Sequence, residues 1–135
     1  MGNSSSSRKN TKSLSPSSYG EQECYRVLQR LFPRHKFRKV RPNFLNSHKT
    51  HHNLELDMYC EELNIAVEYN GRQHYEYVPY YHKCKEDFYD QVKRDRLKQT
   101  LCRKHKVKLI VVPYWITDIE EYLRQQLEKY GYFNR

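Results

Sequence analysis

No acidic residue occurs between Cys24 and Leu54, a segment that holds eight Lys or Arg residues and four histidines. There is no Cys-x-x-Cys pair, and cysteines 24, 60, 84 and 102 lie far apart. There is also no apolar h-region, and no apolar run long enough to span a bilayer core of roughly 30 Å. Each absence excludes something. The chain does not read as a secreted disulfide scaffold, and its cysteines are expected to be reduced in a cytosolic or nuclear compartment. His82, Cys84 and the run His48 to His52 are candidate zinc ligands, but they lack a zinc-finger spacing. A second basic stretch, from Lys93 to Lys108, sets eight Lys or Arg residues against Asp95 alone. With a formal net charge of +9, two basic stretches around an acidic hairpin point to a phosphate-bearing partner. The alternative is a surface that is merely basic and solvated.

The 135 residues suffice for one compact domain and a tail. Hydrophobic residues make up 37%, and thirteen tyrosines imply a tyrosine-rich core or surface. Residues 1–18 are Ser-rich and almost free of apolar side chains, so a disordered tail is expected there, with the domain at 19–135. The start matches Met-Gly-x-x-x-Ser, which makes Gly2 a candidate N-myristoyl acceptor. Arg8, Lys9 and Lys12 would supply the second, electrostatic membrane signal. The alternative is an accidental match in a Ser-rich tail.

Cys24, Val27, Leu28 and Leu31 recur at i, i+3, i+4 and i+7, an amphipathic helix closed near Pro33. A short strand is expected over 37–40, a hairpin over 54–70, and a helix of poor apolar phase over 85–105. The near-continuous apolar run 107–115 reads as a buried strand. A capping box at Thr117-Asp118-Ile119-Glu120 opens a last helix ending near Gly131. The order α, β, β, β, α, β, α predicts an α/β fold with a mixed sheet flanked by helices.

The hairpin carries the question of function. Asp57 and Glu68 interrupt runs that otherwise alternate like strands, and acids are depleted from strand interiors. Alternation puts Leu56, Met58 and Cys60 on one face of the first run, and Ile65, Val67 and Tyr69 on one face of the second. With a turn at Glu62-Leu63, Met58 pairs with Val67 and Asp57 stands opposite Glu68. Cβ atoms of opposed residues are about 5 Å apart, where like charges repel, so a compensating cation is required. Paired strand carboxylates suit the oxygen preference of Mg²⁺. The alternative is a salt-bridged face on an edge hairpin.

The segments "GEQE", "FRKVRP", "LELDMY", "LNIAVEYNGRQHY", "KRDRLKQTLC" and "VKLIVVPYW" resemble, in order and spacing, the PD-(D/E)-x-K nuclease superfamily. The similarity is to compact endonucleases such as the very short patch repair enzyme and its phage and giant-virus cousins. That resemblance implies a restriction-endonuclease-like α-β-β-β-α-β core and Mg²⁺- or Mn²⁺-dependent hydrolysis of DNA. It implies that Asp57, Glu68 and Glu21 hold the metal, with Glu23 the weaker helix candidate. The superfamily's lysine would fall at residue 70, where Asn70 stands, so its role passes to Gln73 and His74. Arg38, Lys39, Arg41, Arg72, Arg94 and Lys98 are candidate phosphate contacts. Tyr75, Tyr77, Tyr80 and Tyr81 are candidate stacking residues. Double-stranded or branched DNA is the expected partner, and cutting both strands would call for a homodimer. The expected alternatives are a binding module of the same fold without catalysis and a membrane-associated basic protein.

Overall fold

The computed structural model describes residues 18–47 and 51–133. Gly2, the rest of the Ser-rich segment through residue 17, and His48 lie outside the described residues. Helix α1 spans Ser18–Leu31, with Cys24, Val27 and Leu28 fully buried as their spacing predicts. Strand β1 (Arg38–Val40) follows, then a 3-10 turn (Asn43–Leu45) and a two-residue ribbon of β2 (Asn46–Ser47) with β3 (His52–Asn53). Strands β4 (Leu56–Cys60) and β5 (Ile65–Asn70) form the hairpin. Helix α2 (Lys85–Lys104) crosses to β6 (Lys108–Pro113), and helix α3 (Ile119–Lys129) closes the described chain.

The fold is mixed α/β. One four-stranded sheet runs β1-β4-β5-β6, antiparallel except between β5 and β6, which are parallel and need the α2 crossover. The hairpin register is the expected one: Met58 faces Val67, and Cys60 faces Ile65 across a turn whose Asn64 adopts φ 58°. Asn tolerates that left-handed conformation, which the turn needs.

Helices cover both faces of the sheet. On one side Met58, Cys60, Ile65, Val67, Ile110 and Val112 pack against Val27 and Leu28 of α1 and against Leu123 and Leu127 of α3. On the other side Ala66 joins Leu45, Leu54, Cys102 and Val107, with Leu97 and Leu101 of α2 packed alongside. Leu56 belongs to this second cluster, not to the face of Met58 and Cys60 as strict alternation predicts. The reason is local: the β1–β4 register slips between Arg38↔Tyr59 and Val40↔Leu56, and such a bulge re-aims side chains. The last helix also starts one residue later than the capping box suggested. Asp118 is its N-cap, accepting the Glu121 amide at 3.1 Å.

Candidate acidic site

Strand β5 aims Glu68 at α2 because Val67 and Tyr69, on either side of it, face α1 and α3. Glu68 is 4% exposed, a costly place for a carboxylate without a partner. Lys98 of α2 supplies one: its Nζ donates to Oε1 at 3.0 Å and to Oε2 at 2.9 Å. The Lys98 side chain is only 15% exposed, turned inward onto Glu68 and not out along a solvated helix face. Glu68 Oε2 also accepts the Asp57 amide at 3.4 Å, which sets the two acids side by side as expected.

Glu21 comes from the first turn of α1 and acts on the Asp57 carboxyl as a like-charged neighbour. What lets α1 come so near is Gly20. A Cβ there would lie 2.2 Å from the Tyr69 ring, so only glycine lets that ring rest against the helix backbone. Glu23 is elsewhere: it pairs with Arg26 on the exposed side at 2.5 Å, and that hydrogen bond holds its carboxyl below the ordinary range.

Electrostatics follow from this crowding. Burial pushes the Asp57 carboxyl up to about 7, with repulsion from Glu21 next and the Lys98 charge pulling down. Burial likewise raises Glu68 to about 7, with Lys98 opposing it and Asp57 adding to it. Three carboxylates against one ammonium leave two negative charges uncompensated. Two protons can neutralise them, or one divalent cation. All three donors are carboxylate oxygens, the ligand type Mg²⁺ and Mn²⁺ take, so the donor chemistry suits such an ion, although the three do not approach one another to within ligand spacing. The fit is not a closed cage. Among the described residues, the one trio with ligand atoms all within 4.8 Å of one another is His35, Cys60 and Glu62, at the other end of the hairpin.

Two further groups meet here through α2. His74 Nδ1 lies 2.8 Å from Asp95 Oδ2, both side chains about one-fifth exposed or less, and Gln91 Nε2 donates to Asp95 Oδ1 at 3.4 Å. Asp95 and Lys98 share one face of the helix, three residues apart. Nothing in the sequence marked Asp95 as a site residue. Gln73 lies apart, lining a cavity of about 260 Å³ with Tyr69, Arg72, Val78, Tyr80, Tyr81 and Tyr114. Among the described residues it makes no hydrogen bond to Asp57 or Glu68. Two of the four thiols are held protonated: burial lifts Cys24 to about 12 and Cys102 to about 11.

The other candidate cations are peripheral. Arg38 and Lys39 are exposed on β1, and Arg94 is exposed on α2. Arg41 donates to the Asn53 carbonyl at 3.0 Å and lies 3.9 Å from Glu55, while Arg72 lies 3.5 Å from Glu76. Tyr75, Tyr114 and Trp115 cluster with ring centroids 4.8–5.9 Å apart, and Tyr80 and Trp115 stay 79% and 56% exposed. His82 is buried and accepts the Val78 amide through Nδ1, and Cys84 is exposed, so these two candidate ligands do not come together in a metal site.

A mixed α/β protein with a buried acidic site and no membrane-crossing helix among the described residues is thus defined by its geometry. The chain is 43% identical over 111 residues to "Uncharacterized protein 094L" of Frog virus 3 (isolate Goorha), covering 82% of this chain and 71% of that protein. It belongs to the family of that protein. It is also 46% identical over 103 residues to "Uncharacterized protein 307L" of Invertebrate iridescent virus 6, and 42% over 117 residues to "Uncharacterized protein 033L" of Invertebrate iridescent virus 3. Those matches cover 73% and 85% of this chain, which spans 52% and 60% of the two proteins. All three relatives are virus-encoded. No family model matches the chain, and no solved structure matches it.

Proposed function

We propose that this protein is a divalent-metal-dependent endonuclease that hydrolyses DNA phosphodiester bonds. The observation that carries this reading is the charge balance of the acidic site: Glu21, Asp57 and Glu68 against Lys98 alone. The element order α1-β1-β4-β5-α2-β6 adds support, since it is the order the nuclease resemblance implies. Glu21, Asp57 and Glu68 would hold Mg²⁺ or Mn²⁺. When bound, such an ion lowers the pKa of water and neutralises charge on the phosphoryl group.

The chain's own residues do the rest. Lys98 donates two of its three N–H groups to Glu68, which fixes the ammonium in place and leaves the third for a water or a phosphate oxygen. This is the task the sequence had passed to Gln73 and His74. Asp95 fixes the His74 ring through Nδ1, so Nε2 is the nitrogen left to contact a phosphate or to exchange a proton with a leaving oxygen. Arg38, Lys39, Arg41, Arg72 and Arg94 supply long-range attraction and backbone contacts along the duplex. The exposed Tyr80 and the Tyr75–Trp115 cluster suit stacking against bases of a distorted or branched substrate. Cutting both strands requires two copies.

Nicking of supercoiled plasmid, with and without Mg²⁺, tests the reading. Wild type nicks only with metal, and Asp57→Asn does not nick. A second reading has one observation in its favour: Lys98 already occupies both oxygens of Glu68, as in a binding module without catalysis. Salt-dependent DNA binding without nicking in either metal would establish it.

A further inference from the structure

The far end of the hairpin carries a different donor set. Cys60, the last residue of β4, is 3% exposed and packs with Phe32 and Phe37. His35 sits in the turn after α1, its amide bonded to the Phe32 carbonyl at 3.1 Å. Glu62 lies in the β4–β5 turn, which the Asn64 amide closes on the Glu61 carbonyl. One ligand atom from each of the three lies within 4.8 Å of the other two, and His35 Nδ1 is already 2.9 Å from Glu62 Oε1.

We infer that His35, Cys60 and Glu62 form a zinc site. An imidazole nitrogen, a thiolate and a carboxylate make a mixed N, S, O set that suits Zn²⁺ and not Mg²⁺. Bonds of about 2.0–2.3 Å in a tetrahedron put ligand atoms roughly 3.3–3.8 Å apart. Glu62 is 76% exposed and His35 30%, so both are free to turn while Cys60 stays anchored in the core. The exposure of Glu62 would leave water access as a fourth ligand.

Arg34, Lys36 and Arg38 line the same depression, of about 430 Å³. A dication is therefore held here by direct ligand bonds and not by a general negative field. Binding releases the Cys60 thiol proton to solvent and replaces the His35–Glu62 hydrogen bond with bonds to the metal. It also ties the α1 exit turn to a hairpin turn 27 residues further along the chain. This site is separate from the acidic one and does not depend on nuclease activity.

The test uses the full chain, stripped with chelator and titrated with Co²⁺ as a spectroscopic stand-in. One equivalent is expected, with an intense near-ultraviolet thiolate-to-cobalt band that millimolar Mg²⁺ leaves unchanged and Zn²⁺ removes. Cys60→Ser abolishes the band and Cys84→Ser keeps it. His35→Ala and Glu62→Gln weaken cobalt binding about tenfold or more. Zn²⁺ raises the melting temperature of wild type but not of His35→Ala. If Cys60→Ser fails to fold, the two surface variants carry the result. Absence of the band in wild type, its loss in Cys84→Ser, or unchanged binding in His35→Ala overturns the site.

Discussion

The two faces of the central sheet are covered by helices of opposite character. Toward α1 and α3 the contact is almost wholly aliphatic and aromatic. Toward α2 the apolar contact is interrupted by Glu68, Lys98, Asp95 and His74. The first face is held by area removed from water, which is indifferent to pH. The second is held partly by charge in a place where charge is costly, so its stability depends on protons, metal and pairing. Apolar packing and buried charge are thus concentrated on different faces.

The largest effect expected from breaking this division is at Lys98. Lys98→Ala strands Glu68, and removing one partner of a buried pair costs about 3–5 kcal/mol. The loss should be full at pH 8 and much smaller at pH 5, where Glu68 takes up a proton; urea unfolding at the two pH values measures it. Equal losses at both would mean that Lys98 acts by packing alone.

Leu123→Ala provides the contrast. It should cost about 2–5 kcal/mol at either pH, and the folded fraction should nick plasmid at the wild-type rate. A pH-dependent loss there would erase the distinction between the faces.

Gly20→Ala tests the point where the faces meet. The new methyl would sit inside the Tyr69 ring, so the ring or the helix must shift, at about 1–3 kcal/mol. Because Glu21 moves with α1, nicking should fall further than stability does; calorimetry beside a plasmid assay separates the two.

The smallest stability effect should come from Asp57→Asn. In the fold Asp57 and Glu68 keep their protons up to about 7, while the unfolded chain releases them near 4. The native state therefore binds more protons between roughly pH 4 and pH 7, and metal-free stability falls as pH rises through that window. Asp57→Asn removes one of the two groups. It should flatten the fall, raise metal-free stability at pH 8, and abolish both nicking and the Mg²⁺-induced rise in melting temperature. A steeper fall in the variant would refute the assignment.

The legible parts of the sequence were those with a regular period. The stripe of Cys24, Val27 and Leu28 and the pairing of Met58 with Val67 followed from spacing and turn length. Glu21 and its glycine came through the family resemblance, and Gly20 proves to have a steric reason. Helix α2 was hard to read for a physical cause. At about 100° per residue, Leu97, Lys98, Leu101 and Cys102 fall within one inward arc with Lys98 inside it. A charge in such an arc spoils the apolar phase and reads as a solvated face, so Asp95 and Lys98 looked like surface residues. Leu56 was misplaced because a bulge leaves no mark in alternation. His35, Cys60 and Glu62 were invisible because no local spacing joins a helix exit to a hairpin turn.

The crossover between parallel β5 and β6 also has a consequence for timing during synthesis. Asp57 and Glu68 leave the ribosome together with their hairpin, but Lys98 follows thirty residues after Glu68, and β6 later still. Long-range pairings of this kind form late. Until α2 docks, the hairpin acids are hydrated and ionise like those of any peptide, without the Lys98 ammonium on Glu68. A nascent or truncated chain ending before α2 thus has the acids but no assembled site, and any activity that site carries begins only when the domain is complete.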